Sequence, residues 1–371
     1  MDGARGMNHR DTETQRKSIS DLKFQICNSF FSVSLCLCGL LVSLPARGAP
    51  IEELLPARVN VGVARGLAYL AKQQQADGSF TGFDEPGPRA LPAAEAIIAF
   101  LSAGQTPVAG RHALAVRNAV DYLVRQSPDD GDFGRADGSG SYGQVVITVA
   151  LAQAYGLEGD ANQRRQIRDA LGQSQRVILA AQEARGEKGG AAWRRQNKSE
   201  PDLEITLAMV LALRALDGVG IETPREAMQR AATFVRSCAR PTGFADPGGA
   251  VTVTSTAAGV SVLLMTGAAT ADELGDALKL VAEKRVEADP AREPDYFRSV
   301  YAVVQAAMLA GEPTWSAAWG PARDEVLKKQ NDDGSWFPLR QPGVGLGTVP
   351  ATAQAVMTLA MPYRLLPLYG R

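Results

Sequence analysis

The chain's 371 residues carry 39 basic and 40 acidic side chains, a formal net charge of −1, so no charge excess points to nucleic acid as a partner. With 45% hydrophobic and 21% charged residues, the composition is that of an ordinary globular protein, long enough for one large domain or two small ones. Glycine (37) and proline (21) predict many chain reversals, while aromatic side chains are scarce at 6%.

Residues 1–49 read as a signal peptide with an N-terminal extension. Cys27 to Leu44 ("CNSFFSVSLCLCGLLVSL") is an uncharged 18-residue apolar run, preceded by Arg16, Lys17 and Lys23 and followed by Gly48 and Ala49. That order of basic, apolar and small residues predicts export with cleavage near Ala49. The basic region is long for a signal, which points to translation beginning at Met7. The run also approaches a membrane-spanning length, so an uncleaved anchor, with membrane association through this segment, is the rival reading. Under both readings residues 50–371 are expected outside the cytoplasm: periplasmic, secreted or membrane-anchored. Cys27, Cys36 and Cys38 fall inside the apolar run, which leaves Cys238 without a disulfide partner in residues 50–371. In "FVRSCARP", at a helix end, Cys238 reads as a small core residue rather than a nucleophile.

Beyond the segment, helical patterns come in pairs. The first members span 61–72, 113–126, 164–182, 225–239, 272–284 and 322–330. The second span 91–101, 142–156, 202–218, 253–267, 295–311 and 350–361. A self-similar period of this size predicts stacked helical hairpins. First members are amphipathic, for example Val61, Val63, Leu67 and Leu70 along "VGVARGLAYLAK". Second members are apolar nearly all round, so they must be buried. An outer and an inner ring of six helices each, an all-α (α/α)6 toroid filling residues 50–371 as a single domain, follows. An open superhelix is the rival, disfavoured because the second helices have no polar face to leave in water.

One phrase recurs where a first helix gives way to its partner. "QQADGSF" (74–80) and "QNDDGSW" (330–336) share Gln-x-x-Asp-Gly-Ser-aromatic, and looser copies stand at Gln126 to Phe133, Gln182 to Trp193, and Gly243-Phe244. Glycine suits the turn, Asp and Ser can bond free backbone groups, and the ring can pack the corner. A helix rich in Leu and Tyr, then Gln, then Gly-x-aromatic, as in "LAYLAKQQQADGSF" and "EVLKKQNDDGSW", resembles the repeat of squalene and oxidosqualene cyclases and of protein prenyltransferase β-subunits. The resemblance extends over roughly residues 60–362. It implies the toroid fold, a terpenoid-cyclase-like or prenyltransferase-like activity where the protein is catalytic, and an apolar isoprenoid-like ligand in a central cavity.

Known chemistries of these families are not written here. The cyclases' Asp-x-Asp-Asp acid motif is missing; Asp129-Asp130-Gly131-Asp132 and Asp332-Asp333 belong to corner phrases. The prenyltransferases' zinc ligands would be Asp, Cys and His, but residues 50–371 hold only His112 and Cys238 of the latter two, and His112 leads into an outer helix. A Gly-Cys-Gly-Glu-Gln thioester setting and an Asp-Asp-x-x-Asp magnesium motif are also missing, so neither metal nor cofactor is expected.

The cavity mouth should lie at the N-terminal ends of the inner helices, which also favour anions. Aligning the inner helices on their terminal glycines brings Pro92, Gln144, Thr206, Ser255, Ser299 and Thr352 to one level, with Asp202 and Asp295 one turn earlier. The two readings of this level are helix capping and a polar ring around the cavity. The charged candidates there are Asp84, Glu85, Glu95, Asp202, Glu204, Asp295 and Arg298. Glu95 interrupts an apolar helix ("PAAEAIIAF"), so it faces a wet cavity or a partner. With a raised pKa it would be a general acid, and with Asp202 or Glu204 it would make a carboxylate pair of the glycosidase kind. The candidate catalytic set is therefore Glu95, Asp202 and Glu204. The candidate ligand-binding set is Gln144, Thr206, Ser255, Asp295, Arg298 and Tyr301. Alternatives to the isoprenoid reading are a non-catalytic cell-surface or periplasmic binding scaffold and a carbohydrate-active (α/α)6 enzyme.

Overall fold

A computed structural model describes residues 56–81, 90–185, 190–193, 201–286, 295–337 and 347–366. The apolar segment 27–44 and the candidates Asp84 and Glu85 lie outside them. The outer helices are α1 (Ala57–Gln73), α3 (Ala113–Arg125), α6 (Ala161–Ala180), α8 (Arg225–Ser237), α10 (Gly275–Glu283) and α12 (Thr314–Lys328). The inner helices are α2 (Ala90–Ser102), α5 (Gly140–Tyr155), α7 (Leu203–Gly218), α9 (Val253–Met265), α11 (Tyr296–Ala310) and α13 (Thr348–Ala360). A short helix, α4 (Phe133–Asp137), precedes α5, and two-stranded hairpins join β1 (Glu183–Arg185) to β2 (Gly190–Ala192) and β3 (Ala239–Arg240) to β4 (Gly243–Phe244).

Burial follows the two kinds of helix read from the sequence. In α1 Val63, Leu67 and Leu70 are buried as expected, together with Val59, Gly62 and Gly66, whereas Val61, expected on the same face, is exposed because it lies off that stripe. In α2 every residue is buried. Each inner helix packs on the next, in the order α2, α5, α7, α9, α11, α13, and α13 returns to α2. The ring is therefore closed, an (α/α)6 toroid and not an open superhelix. Outer helix α12 begins at Thr314, eight residues before the expected start at 322, because it runs through Pro321 rather than stopping there. Stacked rings of Trp315 and Trp319, 5.6 Å apart, lie along its first turns.

The recurring phrase is the joint between neighbouring repeats. Asp77 Oδ1 accepts from the N–H and Oγ of Ser79 at 3.0 and 2.7 Å, and Asp333 does the same for Ser335 at 2.9 and 2.7 Å. Gln74 Nε2 donates to the Ala115 carbonyl of the next outer helix (2.9 Å), Gln182 to Ala227 (2.9 Å), and Gln330 to Gly62 (2.9 Å). At these three corners the glutamine ties the turn to the following repeat, and Gln74 and Gln330 also reach the Gly78 and Gly334 carbonyls of their own turns at 3.3 and 3.0 Å. Gly78 and Gly334 have φ of 91° and 93°, and a Cβ there would lie 2.2 Å from the Asn118 carbonyl oxygen and 2.5 Å from that of Arg65. Glycine is required twice over, by handedness and by the approach of the next helix. Trp193 and Trp336 fill their corners and donate Nε1–H to the carbonyls of Ile178 and Val326 at 2.7 Å.

Candidate functional site

A cavity of about 120 Å³ opens among the inner helices. Its wall is mostly aliphatic, including Ile98, Val145, Val149, Leu207, Leu211 and Met357. Packed inner helices with small and branched side chains produce such a wall because large aromatic rings would fill the axis.

Glu95 is the carboxyl group buried in that wall, with 1% of its surface exposed. Its Oε1 accepts from the Tyr142 hydroxyl (3.0 Å) on α5 and from Gln354 Nε2 (2.9 Å) on α13. Its Oε2 is buried and has no hydrogen-bond partner. Burial pushes the carboxyl up to about 7, against the opposing effect of Gln354, Tyr142 and the Arg298 charge. Near neutral pH it is therefore divided between acid and carboxylate. Burial, with Glu95 beside it, also drives the Tyr142 hydroxyl well above its ordinary value, so that hydroxyl remains a donor.

Arg298, on the third residue of α11, is the cation in the cavity wall among the described residues. It forms an ion pair with Asp295 one turn earlier and approaches Glu204 at 3.9 Å. Its guanidinium lies 4.7 Å from the Tyr142 ring centroid, a cation–π contact. Burial works against its charge, but Asp295, Tyr142, Glu204 and Glu95 outweigh that and hold it firmly protonated. Two turns further along α11, Gln305, 1% exposed, also lines the cavity and has an Nε2 with no partner.

The polar level read from the sequence divides on folding. Glu95, Glu204, Arg298, Ser299 and Tyr301 line the cavity, and Asp295 reaches it through Arg298. Gln144, Thr206, Ser255 and Asp202 are not in its wall. Gln144 holds the second corner together, donating to the Gly131 carbonyl (2.9 Å) and Ser174 Oγ (2.8 Å) and accepting from the Gly134 N–H (3.0 Å). Thr206 Oγ donates to the Asp202 carbonyl at 2.8 Å. Asp202 caps α7 by accepting from the Ile205 N–H at 2.7 Å, and Ser255 forms a capping box with Thr252 on α9. Asp202 and Ser255 thus serve as helix caps, Gln144 braces a corner, and Thr206 bonds back to its own helix. The expected Glu95–Asp202 carboxylate pair is not formed, since the Asp202 carboxylate is committed to its cap; Glu204 faces the same cavity as Glu95.

Sequence reasoning passed over Gln305, Gln354 and Tyr142 as site residues. Amides within apolar helices were a usable signal for the first two, of the same kind that singled out Glu95. Two further caps are contributed by the following repeat: Asp137 accepts from the N–H groups of Ala90 and Leu91 at 3.0 and 3.1 Å, and Asp246 from that of Leu203 at 2.8 Å. Cys238 is buried, and burial pushes its thiol up to about 11, which suits a core residue and not a nucleophile. No group of metal-ligating side chains occurs among the described residues.

No protein-family model matches the chain, and no curated protein matches it. Solved structures do. The type II terpene cyclase MstE from Scytonema superposes with a TM-score of 0.56 at 14% identity, covering 84% of this chain and 99% of that one. The same cyclase with geranylgeranyl dihydroxybenzoate, its substrate, gives 0.55 at 14% identity, covering 84% and 98%. An α-1,6-mannanase from Salegentibacter gives 0.57 at 11% identity, covering 83% and 99%. At such identities the likeness is one of fold, and the chain shares the (α/α)6 toroid with enzymes of two unrelated chemistries.

Proposed function

We propose that the protein binds an apolar, isoprenoid-like small molecule in the central cavity, with Glu95 as the group that meets its reactive or polar end. The observation that carries this reading is the cavity wall, whose surface is mostly apolar and which holds a buried carboxyl with an unpartnered oxygen. The terpene cyclase that shares the fold takes a geranylgeranyl substrate, which supports the ligand class. The export segment adds the proposal that binding takes place outside the cytoplasm.

Binding fits the site better than cyclisation. An unactivated alkene is a very weak base, and a carboxyl with a pKa of about 7 is a weaker acid than an ordinary glutamic acid. Glu95 suits proton exchange with an oxygen atom, or a plain hydrogen bond, near neutral pH. A carbohydrate-active role fits less well, because sugar clefts need stacking faces and many hydrogen-bonding groups. Trp193 and Trp336 are corner residues and Trp315 and Trp319 lie on an outer helix, so none of these tryptophans lines the cavity.

The test is native mass spectrometry of the purified protein, followed by solvent extraction and identification of what is released. A bound isoprenoid or similar lipid is the expected result. A protein that is empty, and that takes up neither squalene nor smaller terpenes, would return the toroid to a scaffold role.

A further inference from the structure

We infer that the ligand of the central cavity is an uncharged apolar alcohol rather than a prenyl diphosphate. The inference rests on the cavity reading above and narrows it to one class of head group.

Three observations count against an anionic head group. Arg298 is ion-paired with Asp295 through Nη2, approaches Glu204 at 3.9 Å and lies over the Tyr142 ring, so the charge of the cation in the described wall is already balanced by neighbouring carboxylates. Glu204 and Glu95 add negative charge to the same wall. Three of the inner-helix N-termini, which would otherwise draw an anion, already have acceptors of their own. Asp137 serves α2, Asp202 and Asp246 serve α7, and Thr252 serves α9.

Two observations require a polar atom all the same. Glu95 Oε2 and Gln305 Nε2 are buried, line one cavity, and lack partners. A buried polar group left unsatisfied costs about 1–3 kcal/mol, so a ligand that supplies a partner gains over one that does not. Gln305 Nε2 needs an acceptor. Glu95 Oε2 needs a donor when ionised and an acceptor when protonated. A hydroxyl both donates and accepts, so it can serve either group and either state of Glu95, whereas a ketone or ether fails the ionised carboxylate. The cavity volume, about 120 Å³, is close to the roughly 150 Å³ that accommodates benzene in an engineered core. The enclosed part of the ligand is thus the hydroxyl with its adjoining isoprene-sized unit.

The experiment is calorimetric titration of the full-length protein at pH 6 with geraniol, the matching hydrocarbon lacking the hydroxyl, and geranyl diphosphate. Geraniol should bind about five- to tenfold more tightly than the hydrocarbon, the equivalent of one net hydrogen bond. The diphosphate should bind at least about tenfold more weakly than geraniol. In the Gln305→Met variant, which keeps volume and apolar packing, the preference for geraniol over the hydrocarbon should shrink severalfold. Equal binding of alcohol and hydrocarbon overturns the hydroxyl and leaves the apolar cavity standing. Diphosphate binding as tight as geraniol overturns the uncharged head group. Failure of all three probes to bind overturns the cavity reading itself.

Discussion

Glu95 couples the site to pH through the stability of the fold. Its folded value of about 7 lies above the ordinary 4.5, so between those values the native state binds more proton than the unfolded chain. Stability contributed by the neutral form is complete below about pH 4.5 and is lost as pH rises through about 7. A shift of that size corresponds to about 3 kcal/mol. Glu95→Gln keeps an oxygen for Tyr142 and Gln354 and cannot ionise. The difference in unfolding free energy between variant and wild type should therefore change by about 3 kcal/mol between pH 4 and pH 8, in favour of the variant at high pH. A difference independent of pH in urea melts would remove Glu95 from this role. Gln305 gives a second residue-scale outcome. Gln305→Met removes a buried unpaired donor at nearly constant volume, so it should raise stability by about 1–3 kcal/mol in the same melts.

Glu95 was legible in the sequence because a carboxylate breaks an apolar run. Its surroundings were not. Gln354 is 259 residues away in the chain, and only closure of the ring sets α13 beside α2. The polar level at Gln144, Thr206 and Ser255 misled for a related reason. Spacing along a helix gives height, but it does not distinguish a side chain aimed at the axis from one turned into the adjoining corner.

The corners show what holds one helical pair to the next. In Gly334, positive φ and the nearby Arg65 carbonyl act together, so Gly334→Ala should cost more than about 2 kcal/mol. Gly156 ends an inner helix with φ of −71° and open space around it. Gly156→Ala should be neutral or stabilising by up to about 1 kcal/mol, and thermal melts of the two variants measure the contrast. Asp137 illustrates a cap supplied across repeats. Asp137→Ala should cost about 1 kcal/mol or somewhat more and should speed hydrogen exchange at the start of α2 before other inner helices. Turn chemistry at the corners could be read from the phrase, since glycine, Asp and Ser act locally. The target of its glutamine could not, because the carbonyl it reaches belongs to the following repeat. The helix start at Thr314 was hidden by Pro321, a residue that normally argues for a boundary.

For the whole molecule, the last corner meeting the first helix completes the ring. Gln330 bonds Gly62, Arg65 donates to the carbonyls of Asn331 and Asp332 at 2.8 Å, and Arg58 pairs with Asp324 at 2.6 Å. The corner contact from Gln74 to Ala115 spans 41 positions, and that from Gln330 to Gly62 spans 268. On the logarithmic scaling of loop closure, the longer span costs only about 1.7 kcal/mol more. That sum is small in equilibrium terms but large in order of events. The corners at Gln74 and Gln182 can form as soon as the following outer helix exists, while that at Gln330 waits for the chain's far end. Until then α1 and α13 each carry an apolar face without its native neighbour, and the cavity has no wall between α13 and α2 on which to hold Glu95. A chain interrupted before α13 would thus build most of its helices but lack Gln354 and Met357 in the wall, so the site takes its final form only at the end of assembly.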